Sequence, residues 1–256
     1  MGIGGLVVLL KTPSAEFCDL LRHRYAGFLL PGGPADAEFK ITLEQPVAWP
    51  AGSVDVNYEA ARWVLTRGDF RAHYEPALGR GAISQRRSPY STDSVLRIVH
   101  TLLLAARGGF LLHAASGIRD GRAFIFTGVS GAGKTTITRL APPDVALLSD
   151  EISFIRPDPP AYRAYGTPFS GELAKPGENS SAPVAALDFL AKGPRNSIAE
   201  IGNSEAARRL MRNILFFAKD PDLVERLFDS ACRFVETVPT YRLTFYPDER
   251  VWDLIR

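Results

Sequence analysis

The run R-A-F-I-F-T-G-V-S-G-A-G-K-T-T spans residues 122–136 and decides the fold. Its first part, residues 122–127, predicts a strand, and residues 133–140 begin a predicted helix. Between them, a glycine, four further residues and then Gly-Lys-Thr form the full pattern of a phosphate-binding loop, also called Walker A. Strands interleaved with helices around such a loop predict an α/β protein with a mixed sheet.

Residues 128–135, called here the glycine-rich loop, have the residue types that ATP phosphates require. Glycine lets the backbone wrap closely enough to aim many N–H donors at one point, and the start of the following helix adds its dipole. A lysine supplies positive charge to the outer phosphates, and a threonine hydroxyl can bind Mg²⁺. A chance match in a glycine-rich turn is the alternative, and the position between strand and helix argues against it. The predicted nucleotide contacts are Gly128, Ser130, Gly131, Ala132, Gly133, Lys134, Thr135 and Thr136.

Two adjacent acids, Asp150 and Glu151, end the apolar run V-A-L-L, 16 positions after Lys134. A carboxylate at the tip of a neighbouring strand lies near the metal and the γ-phosphate, where one acid can activate a nucleophile and the other can bind Mg²⁺. A solvated strand end is the alternative. The interval is shorter than in ABC and AAA-type ATPases, and the chain lacks both an L-S-G-G signature and the guanine-reading motif N-K-x-D. The spacing therefore favours small kinases.

Three further residues have open interpretations. His113 lies in the apolar strand F-L-L-H-A-A, so it is either functional or a core histidine. Glu172 ends the stretch R-A-Y-G-T-P-F-S-G-E (163–172), which reads as an ordered loop; its carboxylate either faces the metal or caps the next segment. Arg195 either binds a phosphate or is a surface arginine in a turn.

The rest of the chain divides into two predicted regions. Residues 1–90 read as a small α+β region of unknown role, and residues 91–256 contain all the motifs. Hydrophobic periodicity predicts helices over residues 14–28 (with Ser14 as N-cap), 92–106, 203–217 and 221–236. It predicts strands over residues 5–10 (buried), 38–44 (half-exposed), 110–115, 145–149 (buried), 152–156, 184–190 and 241–246, with further short strands between 53 and 90.

Composition excludes several classes of function. The 256 residues carry a formal net charge of +2 that is spread along the chain, so bulk charge predicts no nucleic-acid binding. Cys18 and Cys232 are too few for a disulfide framework, which predicts a cytoplasmic protein. The apolar N-terminal run is too short for a signal sequence or a membrane span, so no membrane association is expected.

Taken together, the motifs resemble a known family. The succession H-A-A-S-G (113–117), G-V-S-G-A-G-K-T-T (128–136) and L-L-S-D-E (147–151) resembles the catalytic domain of HPr kinase/phosphorylase and its relatives, which include HPr kinase-like serine kinases of peptide-modification clusters. The later stretches G-T-P-F-S-G-E and V-P-T-Y-R-L-T-F-Y-P-D resemble the kinase-related branch. The resemblance covers roughly residues 95–250.

The resemblance implies a fold and a set of roles. The fold would be a P-loop, HPr kinase-like (PEP carboxykinase-like) mixed sheet flanked by helices, with a small N-terminal α+β region. His113 would lie near the γ-phosphate, and Asp150 would take the proton from a serine hydroxyl. Thr135, Glu151 and Glu172 are the expected magnesium ligands, although Glu151 stands where the family has a second aspartate. The signature L-E-x-R-G-x-G is absent, which argues against phosphorylase activity, and the family allows a homo-oligomer.

Three hypotheses of function follow. The first is an ATP- and Mg²⁺-dependent kinase that phosphorylates a serine-type hydroxyl of a protein, peptide or small molecule, with Asp150, His113 and Lys134 as catalytic residues. The alternative is a nucleotide-dependent switch or binding module with slow or no turnover. A small-metabolite kinase of the shikimate-kinase sort is a third reading, and the 90 extra N-terminal residues argue against it.

Overall fold

The computed structural model describes residues 1–44 and 52–255. The chain forms two compact units, Met1–Leu103 with Phe216–Val224 and Leu104–Leu215 with Glu225–Arg256. Each unit contains one mixed sheet and few helices, so the α/β class predicted from the sequence is confirmed. In the described residues, no helix has the length and apolar character needed to cross a membrane.

The first unit contains a seven-stranded sheet. Its strands are β1 (Gly2–Ile3), β2 (Leu6–Lys11), β3 (Ala37–Leu43), β4 (Asp55–Glu59), β5 (Arg62–Arg67), β6 (Phe70–Glu75) and β7 (Arg80–Gln85). They lie in the order β1-β2-β3-β7-β6-β5-β4; the β2–β3 and β3–β7 pairs are parallel and the other pairs are antiparallel. Helix α1 (Ala15–Arg24) begins as predicted, because the Ser14 hydroxyl accepts a hydrogen bond from the Phe17 N–H. Helix α2 (Pro89–Ala105) follows β7.

The second unit contains a nine-stranded sheet. Its strands are β8 (Phe110–Arg119), β9 (Arg122–Thr127), β10 (Ala146–Ser149), β11 (Ile152–Asp158), β12 (Ala161–Tyr165), β13 (Ser181–Lys192), β14 (Ser197–Glu200), β15 (Ile214–Leu215) and β16 (Thr240–Phe245). The two longest strands, β8 and β13, each pair with at least three others. The helices are α3 (Lys134–Arg139), α4 (Asn203–Met211) and α5 (Pro221–Thr237), of which the last begins in the first unit.

The strand that enters the glycine-rich loop lies inside this sheet. β9 pairs antiparallel with β8 and parallel with β13, and β13 pairs parallel with β16. Three parallel strands therefore end at the same edge, and ligands of α/β proteins bind at the carboxyl ends of such strands. The topology places the glycine-rich loop at that edge.

Aromatic packing holds helix α3 onto the sheet behind the loop. Ile137 of α3 is fully buried in a core cluster with Phe126 and Trp252, and burial of such a side chain stabilises by roughly 1.5–3 kcal/mol. The rings of Phe126 and Trp252 meet edge to face at 5.3 Å, and the Trp252 indole N–H donates to the Ile137 carbonyl oxygen at 3.1 Å. The helix that follows the loop is thus fixed by contacts far along the chain.

Several sequence predictions need correction. The predicted helix 203–217 ends at Met211, because residues 214–215 instead form β15 and pair with β8. The stretch 163–172 is a loop only after Tyr165, since its first three residues belong to β12. Strand β2 is not fully buried, because its side chains alternate between the core and the surface. Strand β14, whose residues are all exposed, was not predicted.

A buried acid in the middle of β13 makes the stability of the second unit depend on pH. Asp188 is 1% exposed, and its Oδ1 atom has no hydrogen-bond partner among the described residues. Burial raises the pKa of Asp188 from 3.8 to about 7, because removal from water disfavours the charged form. The folded protein therefore binds the proton more tightly than the unfolded chain, and stability is lost as the pH rises from about 4 through about 7.

We expect the Asp188→Asn variant to lose this pH dependence, because the amide is neutral at every pH. Between pH 5 and 7 the wild type should lose about 1.4 kcal/mol of unfolding free energy per pH unit relative to the variant. Urea unfolding at several pH values measures this difference, with Asp229→Asn at an exposed position of helix α5 as the matched control. If the unfolding free energy changed with pH equally in the wild type and in Asp188→Asn, Asp188 would be charged in the folded state.

Candidate active site

The glycine-rich loop leaves β9 at Thr127 and enters helix α3 at Lys134. Its glycines Gly131 and Gly133 have φ angles of +74° and +112°, a region that other residues rarely adopt. At Gly133 a side chain would also collide with its surroundings, since an added Cβ would lie 2.5 Å from Cζ of the buried Phe245 ring. Both backbone conformation and space therefore require glycine at this position.

Gly133→Ala and Gly131→Ala form a matched pair that separates these two requirements. An alanine at Gly131 meets open space, so we expect only the backbone cost of about 1–2 kcal/mol. An alanine at Gly133 should cost roughly 3 kcal/mol or more, because the Phe245 ring must also shift. Thermal or urea unfolding of both variants measures the difference. Equal destabilisation would mean that the Phe245 ring gives way without cost.

Lys134 is the first residue of α3 and lies beneath the loop. Its side chain is buried, and its Nζ atom donates to the carbonyl oxygens of Gly128 at 3.0 Å and Val129 at 3.5 Å. Burial lowers the pKa of Lys134, and the negative charge of Glu151 opposes that shift. The ammonium is therefore held at the beginning of the loop, close to one of the two acids that follow β10.

Asp150 is buried and bound by backbone donors. Its Oδ1 atom accepts the Gly171 N–H at 2.8 Å, and its Oδ2 atom accepts the Leu173 N–H at 2.9 Å. Gly171 approaches so closely that an added Cβ would lie 2.9 Å from the Glu151 Cβ and 3.1 Å from the Asp150 Oδ2 atom. The carboxylate thus anchors the loop after β12, a contact that sequence reasoning did not anticipate.

Backbone pairing fixes the acids and the histidine relative to each other. The Glu151 and Ile152 N–H groups donate to the Ser149 hydroxyl at 3.1 and 2.8 Å, which turns the chain between β10 and β11. Glu151 is tied to β8 because its carbonyl oxygen accepts the Ala114 N–H at 3.0 Å. His113, one residue earlier in β8, pairs in register with Ile152. The histidine strand and the acidic strand are therefore direct neighbours.

These side chains meet around one cavity of about 240 Å³, called here the phosphate cavity. Most of the residues predicted from the sequence line it; Gly171, which was not predicted, lines it as well. Gly128 lines a neighbouring cavity instead, and Ala132 is buried under the loop. The lining residues are His113, Ser130, Gly131, Gly133, Lys134, Thr135, Thr136, Asp150, Glu151, Gly171 and Glu172.

The phosphate cavity has the donor set that Mg²⁺ uses in phosphoryl-transfer sites. Thr135, Glu151 and Glu172 all line it, and Mg²⁺ is usually bound by one or two carboxylates together with phosphate oxygens and water. Among the described residues, no three His, Cys, Asp or Glu side chains form a metal cluster of protein ligands alone. The residues present fit an ion that is shared with a bound polyphosphate.

A neighbouring cavity of about 660 Å³ was not predicted at all. Its residues come from the start of the glycine-rich loop, the end of β13 and helix α4, and it includes Arg208, Arg209 and Arg212. The spacing of these arginines along a helical segment was the only available signal, and it does not by itself indicate a cavity. Arg195 lines neither of these two cavities.

Comparison with known proteins gives one family and one structural likeness. Residues 89–256, more than half of the chain, match the family model described as "ScmC: SynChlorMet cassette protein ScmC". No curated protein matches the chain. Among solved structures, the chain is similar to the Hpr(Ser) kinase/phosphatase from Coxiella burnetii, with 12% sequence identity, a TM-score of 0.31, and coverage of 57% of this chain and 85% of that chain. Because this TM-score is low, the α/β class assigned above rests on the sheet topology and not on this similarity.

Proposed function

The chain belongs to the ScmC family, and we propose that it is an ATP-dependent kinase that transfers the γ-phosphoryl group to a serine-type hydroxyl. The observation that carries this proposal is the phosphate cavity, where Lys134, Asp150 and His113 line the same space. Phosphoryl transfer needs little covalent chemistry from the protein beyond positioning, charge stabilisation and a group that accepts the hydroxyl proton. These side chains supply each of those requirements.

The glycine-rich loop would bind the polyphosphate. Its backbone N–H groups and the start of α3 would provide the donors. Lys134 would add a positive charge at the beginning of the loop, where its Nζ atom donates to the carbonyl oxygens of Gly128 and Val129. The charge that spreads over the transferring phosphoryl oxygens would lie next to that ammonium, so the interaction would strengthen in the transition state. Mg²⁺ bound by Thr135, Glu151 and Glu172 would neutralise phosphate charge.

Asp150 would act as the base. Each of its oxygens accepts one backbone N–H, and a carboxylate oxygen has room for a second hydrogen bond. The acceptor hydroxyl would donate to that position and pass its proton to Asp150 while its oxygen bonds to the γ-phosphorus. The bond between the γ-phosphorus and the β–γ bridging oxygen breaks, and ADP leaves. His113, which also lines the cavity, would contact the γ-phosphate.

A second candidate is a nucleotide-dependent switch, and the anchoring of the loop favours it. Asp150 holds the backbone of Gly171 and Leu173, and Glu172 between them lines the phosphate cavity. A bound nucleotide that contacts this loop would change its position without any chemistry. In that case Asp150 serves as an anchor and not as a base.

Acceptor-dependent phosphoryl transfer tests the proposal. The purified protein is incubated with Mg²⁺ and γ-labelled ATP, alone and with a pool of serine-containing peptides, and both ADP and labelled peptide are measured. A kinase should form labelled peptide and release ADP in equal amounts. Tight ATP binding without transfer would favour the switch, and absence of ATP binding would contradict both candidates.

A further inference from the structure

The second cavity, called here the arginine cavity, adjoins the phosphate cavity. The volume of the arginine cavity is about 660 Å³, and that of the phosphate cavity is about 240 Å³. His113 and Ser130 line both cavities. Its own walls come from Gly128 and Val129, from Phe189 and Leu190 at the end of β13, and from helix α4. A ligand in the arginine cavity would therefore lie next to whatever occupies the phosphate cavity.

Positive charge dominates the arginine cavity. Arg208, Arg209 and Arg212 line it together with one acid, Glu205. Glu205 is paired with Arg209 at 2.6 Å, so three positive charges and one negative charge leave a formal +2. A concave surface with this charge attracts anions, because its low-dielectric walls concentrate the field.

The stability of helix α4 does not explain this arrangement. The end of a helix favours cations, which accounts for arginines in the last turn. Arg208, however, lies four residues before Arg212, the C-cap residue of α4, so the two project from the same side of the helix end, where like charges repel and destabilise. Both are exposed; the Arg208 Nε atom donates to the Ser204 carbonyl oxygen at 3.3 Å, and Arg212 has no ion-pair partner among the described residues. Their shared orientation toward one cavity is consistent with an anionic ligand.

The support for these arginines is rigid and partly apolar. The His113 N–H donates to the Asn213 carbonyl oxygen at 2.8 Å, and β15 continues the pairing with β8, so the end of α4 is fixed beside the histidine. The Arg209 guanidinium lies 5.8 Å from the centre of the Phe189 ring, which forms part of the wall. Val129, which is 76% exposed, adds apolar surface to the cavity, so the cavity offers a peptide ligand both charge and apolar contact.

The position of Lys134 indicates which end of a bound nucleotide would lie next to the arginine cavity. Its ammonium, which binds outer phosphates in loops of this type, lies against the carbonyl oxygens of Gly128 and Val129. These two residues also form a wall of the arginine cavity, whereas Thr135 and Thr136 line only the phosphate cavity. The arginine cavity therefore opens at the γ-phosphoryl end, where the acceptor approaches.

We propose that the arginine cavity binds the phosphoryl acceptor, and that this acceptor is an acidic peptide segment with carboxylates next to its reacting hydroxyl. The role of this peptide as phosphoryl acceptor rests on the proposed kinase function. Binding of an acidic peptide to the arginine cavity can be measured without any phosphoryl transfer. Carboxylates would pair with Arg208 and Arg212, and apolar groups of the peptide would pack on the exposed Val129 side chain. The reacting hydroxyl would then lie near His113, at the boundary of the two cavities.

Peptide binding is the first test. A fluorescent peptide with one serine between two runs of three glutamates is titrated by anisotropy, beside the same peptide with glutamine for glutamate. We expect the glutamate peptide to bind at least about tenfold more tightly, and Arg208→Gln/Arg212→Gln to remove most of that difference. Arg226→Gln, an exposed arginine of α5, should change nothing. Equal binding of the two peptides, or an unchanged preference in the double variant, would overturn the proposal.

A charge reversal and a nucleotide measurement complete the test. Arg208→Glu/Arg212→Glu should prefer the peptide with lysine for glutamate, which a general loss of folding would not produce. Affinity for a fluorescent ATP analogue is measured in parallel on the same variants and should not change. If the arginine variants weaken ATP binding and leave the acidic peptide unaffected, the arginine cavity belongs to the nucleotide and the proposal is wrong. If the wild type binds the acidic peptide but no ATP, the kinase function fails while the arginine cavity stands as a peptide site.

Discussion

Lys134→Met is expected to lower the rate of phosphoryl transfer by about 10²–10³, since loss of one preorganised charge at a reacting phosphoryl group has effects of this size. Methionine keeps the length and the apolar stem of the side chain, so it fills the buried space under the glycine-rich loop. What it removes is the ammonium at 3.0 Å from the Gly128 carbonyl oxygen. Turnover with saturating ATP and acceptor isolates this loss from any change in ATP affinity.

The same substitution has a second consequence, for stability. In the wild type, burial lowers the pKa of Lys134 because water is removed from its charge. A neutral methionine does not have the free-energy cost of burying a charge. We therefore expect Lys134→Met to unfold at the same urea concentration as the wild type or at a higher one. Lys40→Met, at an exposed position of β3, is the control for loss of a surface charge. A variant with normal turnover would exclude Lys134 from the reaction, and a variant that unfolds would show that the ammonium is needed for the loop itself.

Local pattern was enough to predict the parts of the candidate site that are close together in the chain. The strand before the glycine-rich loop, the loop and helix α3 are encoded within residues 122–139, where glycine spacing and an apolar run specify each element. The acidic pair follows one strand later. The topology then brings these stretches to one edge of the sheet, which is why most predicted residues line the phosphate cavity.

The remaining parts of the site depend on contacts that local pattern does not encode. Helix α4 was predicted to continue to residue 217, because residues 212–217 are compatible with a helix; pairing of Ile214 and Leu215 with β8 ends it instead. That early end fixes Arg212 beside the glycine-rich loop. The hydrogen bond from the Leu173 N–H to the Asp150 carboxylate likewise joins residues that are 23 positions apart in the chain. Both features come from long-range pairing, which periodicity cannot indicate.

Asp150 has two possible roles, and the structure provides a way to separate them. Replacement by asparagine removes the base, which should lower transfer by about 10²–10⁴. It also places an amide N–H₂ against one of two backbone N–H donors, Gly171 or Leu173, and an unsatisfied buried donor costs about 1–3 kcal/mol. Loss of activity in Asp150→Asn alone therefore does not distinguish a base from an anchor of the loop.

Gly171→Ala distinguishes the two roles of Asp150, because it disturbs the loop and keeps the carboxylate. Its new Cβ would lie 3.1 Å from the Asp150 Oδ2 atom and 2.9 Å from the Glu151 Cβ, so the loop must move away while the carboxylate stays. If Asp150 is the base, Gly171→Ala should lose at most about 10² in activity, the size expected for a shift of position and not of chemistry, while Asp150→Asn loses up to about 10⁴. The two variants are compared at saturating ATP, together with their ATP affinities and unfolding midpoints. Equal losses of activity in the two variants would assign Asp150 to the loop, and the function of the phosphate cavity would then be a switch driven by nucleotide binding.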